Sequence, residues 1–260
     1  MRKNKILTAF VLFVFAFLFV PLAIIVVTSF GSKSVIEFPI TGFTFKWYAN
    51  IFTSDIFVSG FSLSFEIALL STLIALLVGI PAAYALSRYG IWGKGAVKSF
   101  FLSPTIVPGI VVGYSLFQFI VITFGFPVFQ GLLLGHFLIG VPYVIRVVGS
   151  SLDQFDFSTE EVAWTLGCNK VEAFFKVVLP NISSGIFASF MLAFINSFNN
   201  IPVSMFLSGP GIKTLPTTML NYIEYYYDPT VSALSVVLML GTIVLMFIIE
   251  KTMGLTSISN

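Results

Sequence analysis

The sequence predicts an all-α polytopic membrane protein with six transmembrane helices, and three observations predict it. Only 9% of the 260 residues are charged and 57% are apolar, against about 25% charged in an average soluble domain; a water-facing surface cannot be built from so few charges. Six apolar runs are long enough to cross a hydrocarbon layer roughly 30 Å thick, which takes about 20 residues as a helix. The basic residues then sort by side. With the N-terminus inside, Arg2, Lys3, Lys5, Arg88, Lys94, Lys98, Arg146, Lys170, Lys176 and Lys251 fall at the cytoplasmic face, against Lys33, Lys46 and Lys213 outside, as the positive-inside rule requires.

The first run, Ile6 to Phe30, outlasts the roughly 7 to 15 residues of a signal-peptide core and no A-x-A site follows it, so it reads as a retained span. In the loop Gly31 to Gly60, Trp47, Tyr48, Ile51 and Phe52 recur at helical spacing beside Lys46 and Asp55, which predicts a short interfacial helix. Phe61 to Leu86 is the second span. Its Glu66 either faces a path and meets a cation or snorkels to the outer headgroups. The third, Phe100 to Ile122, contains Pro104 and Pro108, and its Tyr114 and Gln118 are candidates for a substrate path. The fourth, Gly131 to Leu152, carries the single histidine, His136, read as an interhelical hydrogen-bonding residue because its span offers no carboxylate for a proton relay. In the fifth, Ile182 to Leu207, the amides of Asn196, Asn199 and Asn200 should face protein or water. Val231 to Glu250 is the sixth. Gly109, Gly113, Gly135 and Gly140 would let helices approach closely, and the prolines kink spans where a neighbour or a cavity satisfies the freed carbonyls.

Residues 151–180 form the long cytoplasmic excursion and hold seven of the chain's 24 acidic and basic residues. Ser158 and Glu161 have capping-box spacing, opening a helix toward Leu166. Gly167 supplies a left-handed stop. Asn169 and Glu172 start a second helix, with Val171, Phe174, Phe175 and Val178 as one apolar stripe and Glu172 and Lys176 paired four apart. Pro180 ends it.

The string Glu161, Val162, Ala163, three residues, Gly167, nine residues, Val177, one residue, Leu179, Pro180 resembles the EAA loop of binding-protein-dependent ABC importer permeases, E-A-A-x3-G-x9-I-x-L-P. Val162 and Val177 are its two departures. The resemblance runs from about Gly60 to Glu250. "ALLSTLIALLVGIPAAYALSRYG" is similar to the second span of these permeases, and "FLSGPGIKTLPTTMLNYIEYYYDPTVSALS" resembles, more narrowly, the second permease of spermidine/putrescine importers.

The resemblance implies one permease domain over residues 1–260, a MetI-like bundle with its N-terminal span at 6–30, its core at 60–250 and its coupling loop at 151–180. It implies docking of Glu160, Glu161, Ala163, Gly167, Leu179 and Pro180 on a cytoplasmic ATP-binding subunit dimer. It further implies a second permease subunit, an extracytoplasmic binding protein, a multi-pass place in the inner membrane with both termini cytoplasmic, and polyamine as the leading cargo. Ferric iron, thiamine, phosphonate and opine importers use permeases of similar appearance. In polyamine permeases acidic residues occur near the positions of Asn199 and Asn200, and their absence here weighs against polyamine. ATP and magnesium belong to the partner, because this chain has no G-x4-G-K-[ST] loop.

A membrane-embedded hydrolase would need a nucleophile with a base, and no partner pattern accompanies His136. A proton-coupled transporter would want several intramembrane carboxylates, and Glu66 stands alone. The lone Cys168 makes no disulfide or CxxC site, no metal-ligand pattern occurs, and the small, scattered net charge of +2 argues against nucleic acid.

Overall fold

The computed structural model describes residues 5–90 and 92–253, so Arg2 and Lys3 lie outside the described residues. Thirteen helices follow one another there: α1 (Lys5–Thr28), α2 (Lys46–Thr53), α3 (Asp55–Arg88), α4 (Lys94–Leu102), α5 (Gly109–Leu116), α6 (Val128–Leu152), α7 (Ser158–Thr165), α8 (Lys170–Ala173), α9 (Leu179–Asn181), α10 (Ser183–Phe198), α11 (Pro202–Phe206), α12 (Leu215–Tyr225) and α13 (Thr230–Met253). Wide π turns extend α5 over Phe117–Thr123 and join α8 to α9 over Phe174–Val178. Two compact units result, Met1–Ser59 with Thr218–Asn260, and Gly60–Thr217.

In the first unit α1 is apolar all round, and Phe10, Leu12, Phe13, Phe17 and Leu18 stand exposed, as a lipid-facing helix requires. The Thr28 hydroxyl donates to Ser232 Oγ of α13 at 3.3 Å. The predicted short helix forms as α2, burying Trp47 and Ile51 and leaving Phe52 exposed. Trp47 Nε1 donates to the Gly31 carbonyl at 2.6 Å, and Asn50 Nδ2 donates to Thr230 Oγ1 at 3.0 Å. Asp228 caps α13 by accepting the Thr230 N–H and, through its other oxygen, the Tyr222 hydroxyl, each at 2.9 Å.

In the second unit α6 packs along α10, which turns Gly185, Ser189, Ala193 and Ser197 inward at four-residue spacing. A core of Ala75, Ala83, Val144, Ile145, Val148, Leu152, Val178 and Ala193 fills the space among α3, α6, α10 and the connecting loop. His136 bridges helices as expected: its two ring nitrogens lie 2.7 Å from Ser197 Oγ of α10 and 3.0 Å from Ser204 Oγ of α11.

Two of the six runs depart from expectation. The third is broken, with Lys94–Thr105 and Gly109–Thr123 meeting at 94°, because Pro104 and Pro108 have no N–H to give and Pro108 sits extended at ψ 131°. The fifth is broken between Phe198 and Pro202; there the Asn200 carbonyl oxygen Oδ1 accepts the Val203 N–H at 2.9 Å and starts α11 afresh. The fragments α5 and α11 pack against each other. A Cβ at Gly113 would lie 2.5 Å from the Pro202 carbonyl oxygen, so only glycine allows this approach. At Gly140 a Cβ would meet Ala75 at an ordinary 3.5 Å, and the close-approach reading does not hold there.

Three described helices, Leu7–Thr28, Asp55–Arg88 and Val128–Leu152, are long and apolar enough to cross a membrane; two bent pairs, Lys94–Thr105 with Gly109–Thr123 and Lys170–Asn181 with α10 at 73°, meet the same length and composition only when each pair is taken together. The sixth run lies in α13, whose described apolar stretch is Thr230–Val244.

Candidate functional site

The loop between α6 and α10 folds as two short helices about a glycine turn, but its first cap differs from the expected one. Asp156, not Ser158, starts α7: its carboxylate accepts the Ser158 N–H at 2.9 Å and the Ser158 hydroxyl at 2.7 Å. These two bonds hold the Asp156 carboxyl below the usual carboxylate range. Glu161 does not reach back to complete a capping box, because its carboxylate takes the Arg88 Nη2 at 2.8 Å instead.

The helix closes as predicted. Gly167 sits at φ +97°, its N–H reaching the Trp164 carbonyl at 3.0 Å while the Cys168 N–H reaches Ala163 at 3.1 Å, a Schellman closure. Asn169 Oδ1 accepts the Glu172 N–H at 2.9 Å, and Lys176 Nζ donates to Glu172 at 2.5 Å, both as expected. The single apolar stripe does not survive. Phe174 and Val178 turn inward, while Val171 and Phe175, also four apart, face out, and a π turn runs over Phe174–Val178.

The outcome is a projecting apolar face. Val162 is 55% exposed, Leu166 80%, Val171 66% and Phe175 60%, beside exposed Glu161 and Gly167. Of the other predicted loop residues, Ala163 is buried, Leu179 packs against the core and Pro180 is exposed.

Glu160 lies on the opposite side of α7 and is completely buried, so it offers no surface to a partner. Its carboxylate accepts the Tyr84 hydroxyl at 2.5 Å and Arg88 Nε at 3.1 Å. Arg88 is further flanked by the Phe157 and Trp164 rings, at 5.3 and 5.1 Å from their centroids, and Lys170 Nζ lies 5.7 Å from the Trp164 centroid. Tyr84 also meets the Phe174 ring edge-on at 4.8 Å. Tyr84, Arg88 and Trp164 were not legible as site residues. Arg88 reads from sequence only as one more inward-side charge.

The predicted path residues divide. A cavity of about 190 Å³ is lined by Pro104, Thr105, Tyr143, Asn196 and Asn200 among others, at the breaks in the third and fifth runs. Asn196 Nδ2 donates to the Tyr143 hydroxyl at 3.0 Å. Asn199 is exposed and bonds back to Ile195 O at 3.2 Å, and Tyr114 stacks edge-on against Phe206. Glu66 and Gln118 are exposed, and neither they, Tyr114 nor Asn199 lines this cavity. Among the described residues no cluster of His, Cys, Asp and Glu could hold a metal ion.

Broken apolar helices around a small polar cavity, with an apolar-tipped loop projecting between α6 and α10, define a membrane permease of MetI-like fold. The model of the family described as "Binding-protein-dependent transport system inner membrane component" matches residues 75–251, and the chain belongs to that family. It is a permease of an ABC importer, a transport subunit and a multi-pass inner-membrane protein.

Among its relatives, the putrescine transport system permease protein PotI of Escherichia coli (strain K12) is 31% identical over 236 residues, covering 88% of this chain and 83% of that protein. The spermidine/putrescine transport system permease protein PotC of Haemophilus influenzae is 32% identical over 257 residues, 96% of this chain and 98% of that one. Among solved structures, a bacterial ABC transporter involved in the import of the acidic polysaccharide alginate superposes with a TM-score of 0.74 at 17% identity, covering 96% of this chain and 98% of that chain. The inward-facing MetNI methionine ABC transporter gives 0.61 at 18% identity over 75% and 93%.

Proposed function

We propose that this permease crosses the inner membrane six times with both termini in the cytoplasm, pairs with a second permease subunit, and receives polyamine from an extracytoplasmic binding protein. A cytoplasmic ATPase dimer, carrying ATP and magnesium, docks on the Ser151–Pro180 loop, with exposed Glu161, Gly167 and Pro180 at the contact and buried Ala163 and core-packed Leu179 supporting it from beneath. One observation carries the docking: Val162, Leu166, Val171 and Phe175 stand exposed on a loop otherwise rich in charge, and an apolar patch rimmed by polar residues marks a protein interface. Glu160 belongs to the loop's inner face, not to this contact.

The relatives named for putrescine and spermidine support polyamine as cargo. A second reading has its own support, because the cavity lining carries amides and hydroxyls and no carboxylate. A ferric, thiamine, phosphonate or opine solute is that alternative.

Co-purification tests the assembly. Leu166→Asp should lose the ATPase while the chain still inserts; an ATPase retained at wild-type level by Leu166→Asp refutes docking at this face. Cargo is decided on the binding protein, whose melting temperature should rise with putrescine or spermidine and stay put with thiamine or a phosphonate.

A further inference from the structure

We infer that Arg88 and Glu160 form a joint that makes the Ser151–Pro180 loop and α3 move as one body. The inference rests on the reading of that loop as the ATPase's docking point, and goes beyond it by naming the helix that receives the motion.

Chain connectivity and the apolar packing of Val178 and Leu179 tie the loop to α6 and α10. Its grip on α3 is made by side chains, and these are unusual for a contact that needs only to fill space. Glu160 is entirely buried, while the Arg88 side chain keeps 19% of its surface. Burying an ion pair stabilises no better than an apolar contact of the same volume, and often less. What such a pair adds is direction. Apolar faces can slide over each other; a carboxylate held by Tyr84 Oη and Arg88 Nε, beside a second carboxylate on Nη2, fixes both distance and angle.

The guanidinium is held on its other sides by the Phe157 and Trp164 rings. The Trp164 indole N–H is buried and has no hydrogen-bond partner among the described residues, so this residue serves by its ring face, shared between Arg88 and Lys170. Through Tyr84 and Phe174 the grip extends to the loop's second helical segment. Both halves of the loop are thereby fastened to the last turns of α3. Tyr84, Arg88, Glu160 and Trp164 are positioning residues: they act by holding the loop against α3.

The test uses the full chain assembled with its ATPase and second permease, in a Cys168→Ser background, with nitroxides at Thr165 on α7 and Leu77 on α3, both exposed. Electron spin resonance reads their separation without nucleotide and with ATP held on a hydrolysis-blocked ATPase. The wild-type separation should shift by less than about 1 Å, as in a rigid body, while the pair Arg88→Met/Glu160→Leu should shift by more than about 2 Å. Those apolar replacements keep the packing volume and leave no unpaired buried charge. Tyr84→Phe, which removes one hydrogen bond and no bulk, should shift the same way by less, and decides the matter if the pair variant fails to fold. A wild-type separation that changes with nucleotide, or variants as rigid as wild type, overturns the joint. Failure of the docking reading shows itself separately, as an ATPase absent from the wild-type complex, and takes the joint with it.

Discussion

Replacing Gly167 isolates a backbone effect at the tip of the loop. A Cβ built at this position meets no atom within 4 Å, so a side chain there clashes with nothing, and the whole cost comes from φ +97°. Holding an L-residue in a left-handed conformation costs roughly 1–2 kcal/mol, and a β-branched side chain lies at the upper end. One to two kcal/mol is a factor of about 5–30 in the weight of the turn against its alternatives. Asn tolerates this region better than other residues because its side chain bonds locally.

The expected order of cargo uptake per ATP hydrolysed in proteoliposomes is therefore wild type, Gly167→Asn, Gly167→Ala, Gly167→Val, with insertion unchanged throughout. The last variant should retain ATP hydrolysis while losing most uptake. If Asn and Val behave alike, or if Val transports as wild type does, the turn is not what glycine provides here and the coupling argument built on it fails.

Gly113→Leu should cost about 1–3 kcal/mol of stability by overpacking α5 on α11, read as a lowered melting temperature in detergent; an unchanged one would mean that the two helices separate freely. Asp156 should titrate below its ordinary value of 3.8, because the Ser158 hydroxyl and N–H favour the carboxylate. A depressed carboxyl contributes stability above its unfolded pKa, so α7 should keep its cap above about pH 3.8 and lose it as pH falls through the lower folded value. Carbon-13 NMR of the labelled carboxylate follows this, and a midpoint at or above the ordinary value contradicts the cap. Cys168 is partly exposed next to the turn; a membrane-impermeant thiol reagent should reach it only from the cytoplasmic side, and more slowly with the ATPase bound. Labelling from outside would invert the proposed topology.

Much of this architecture was legible in composition and spacing. Hydropathy located the three long apolar helices because lipid demands such runs of a crossing, and the Gly167 stop and the Asn169 cap were readable because each meets a local backbone requirement. Hydropathy averages over a window, however, and so passes smoothly across Pro104, Pro108 and Pro202, where the backbone breaks and a cavity opens. Asn200 looked like a path residue and is also a helix cap, a distinction that depends on where the break falls. Glu160 and Glu161 are neighbours of one chemical type pointing in different directions. Arg88 pairs with both; only Tyr84, 76 residues before Glu160, bonds one and not the other, and no local pattern announces it.

Helix α3 holds 34 residues, about 51 Å at 1.5 Å per residue, well beyond a hydrocarbon thickness of roughly 30 Å. A pole this long clears the bilayer, so a twist applied at its foot reaches the opposite shore through hydrogen-bonded backbone, without a relay of shuffled side chains. Pro81 gives no N–H to the ladder, yet α3 runs through it unbroken from Asp55 to Arg88.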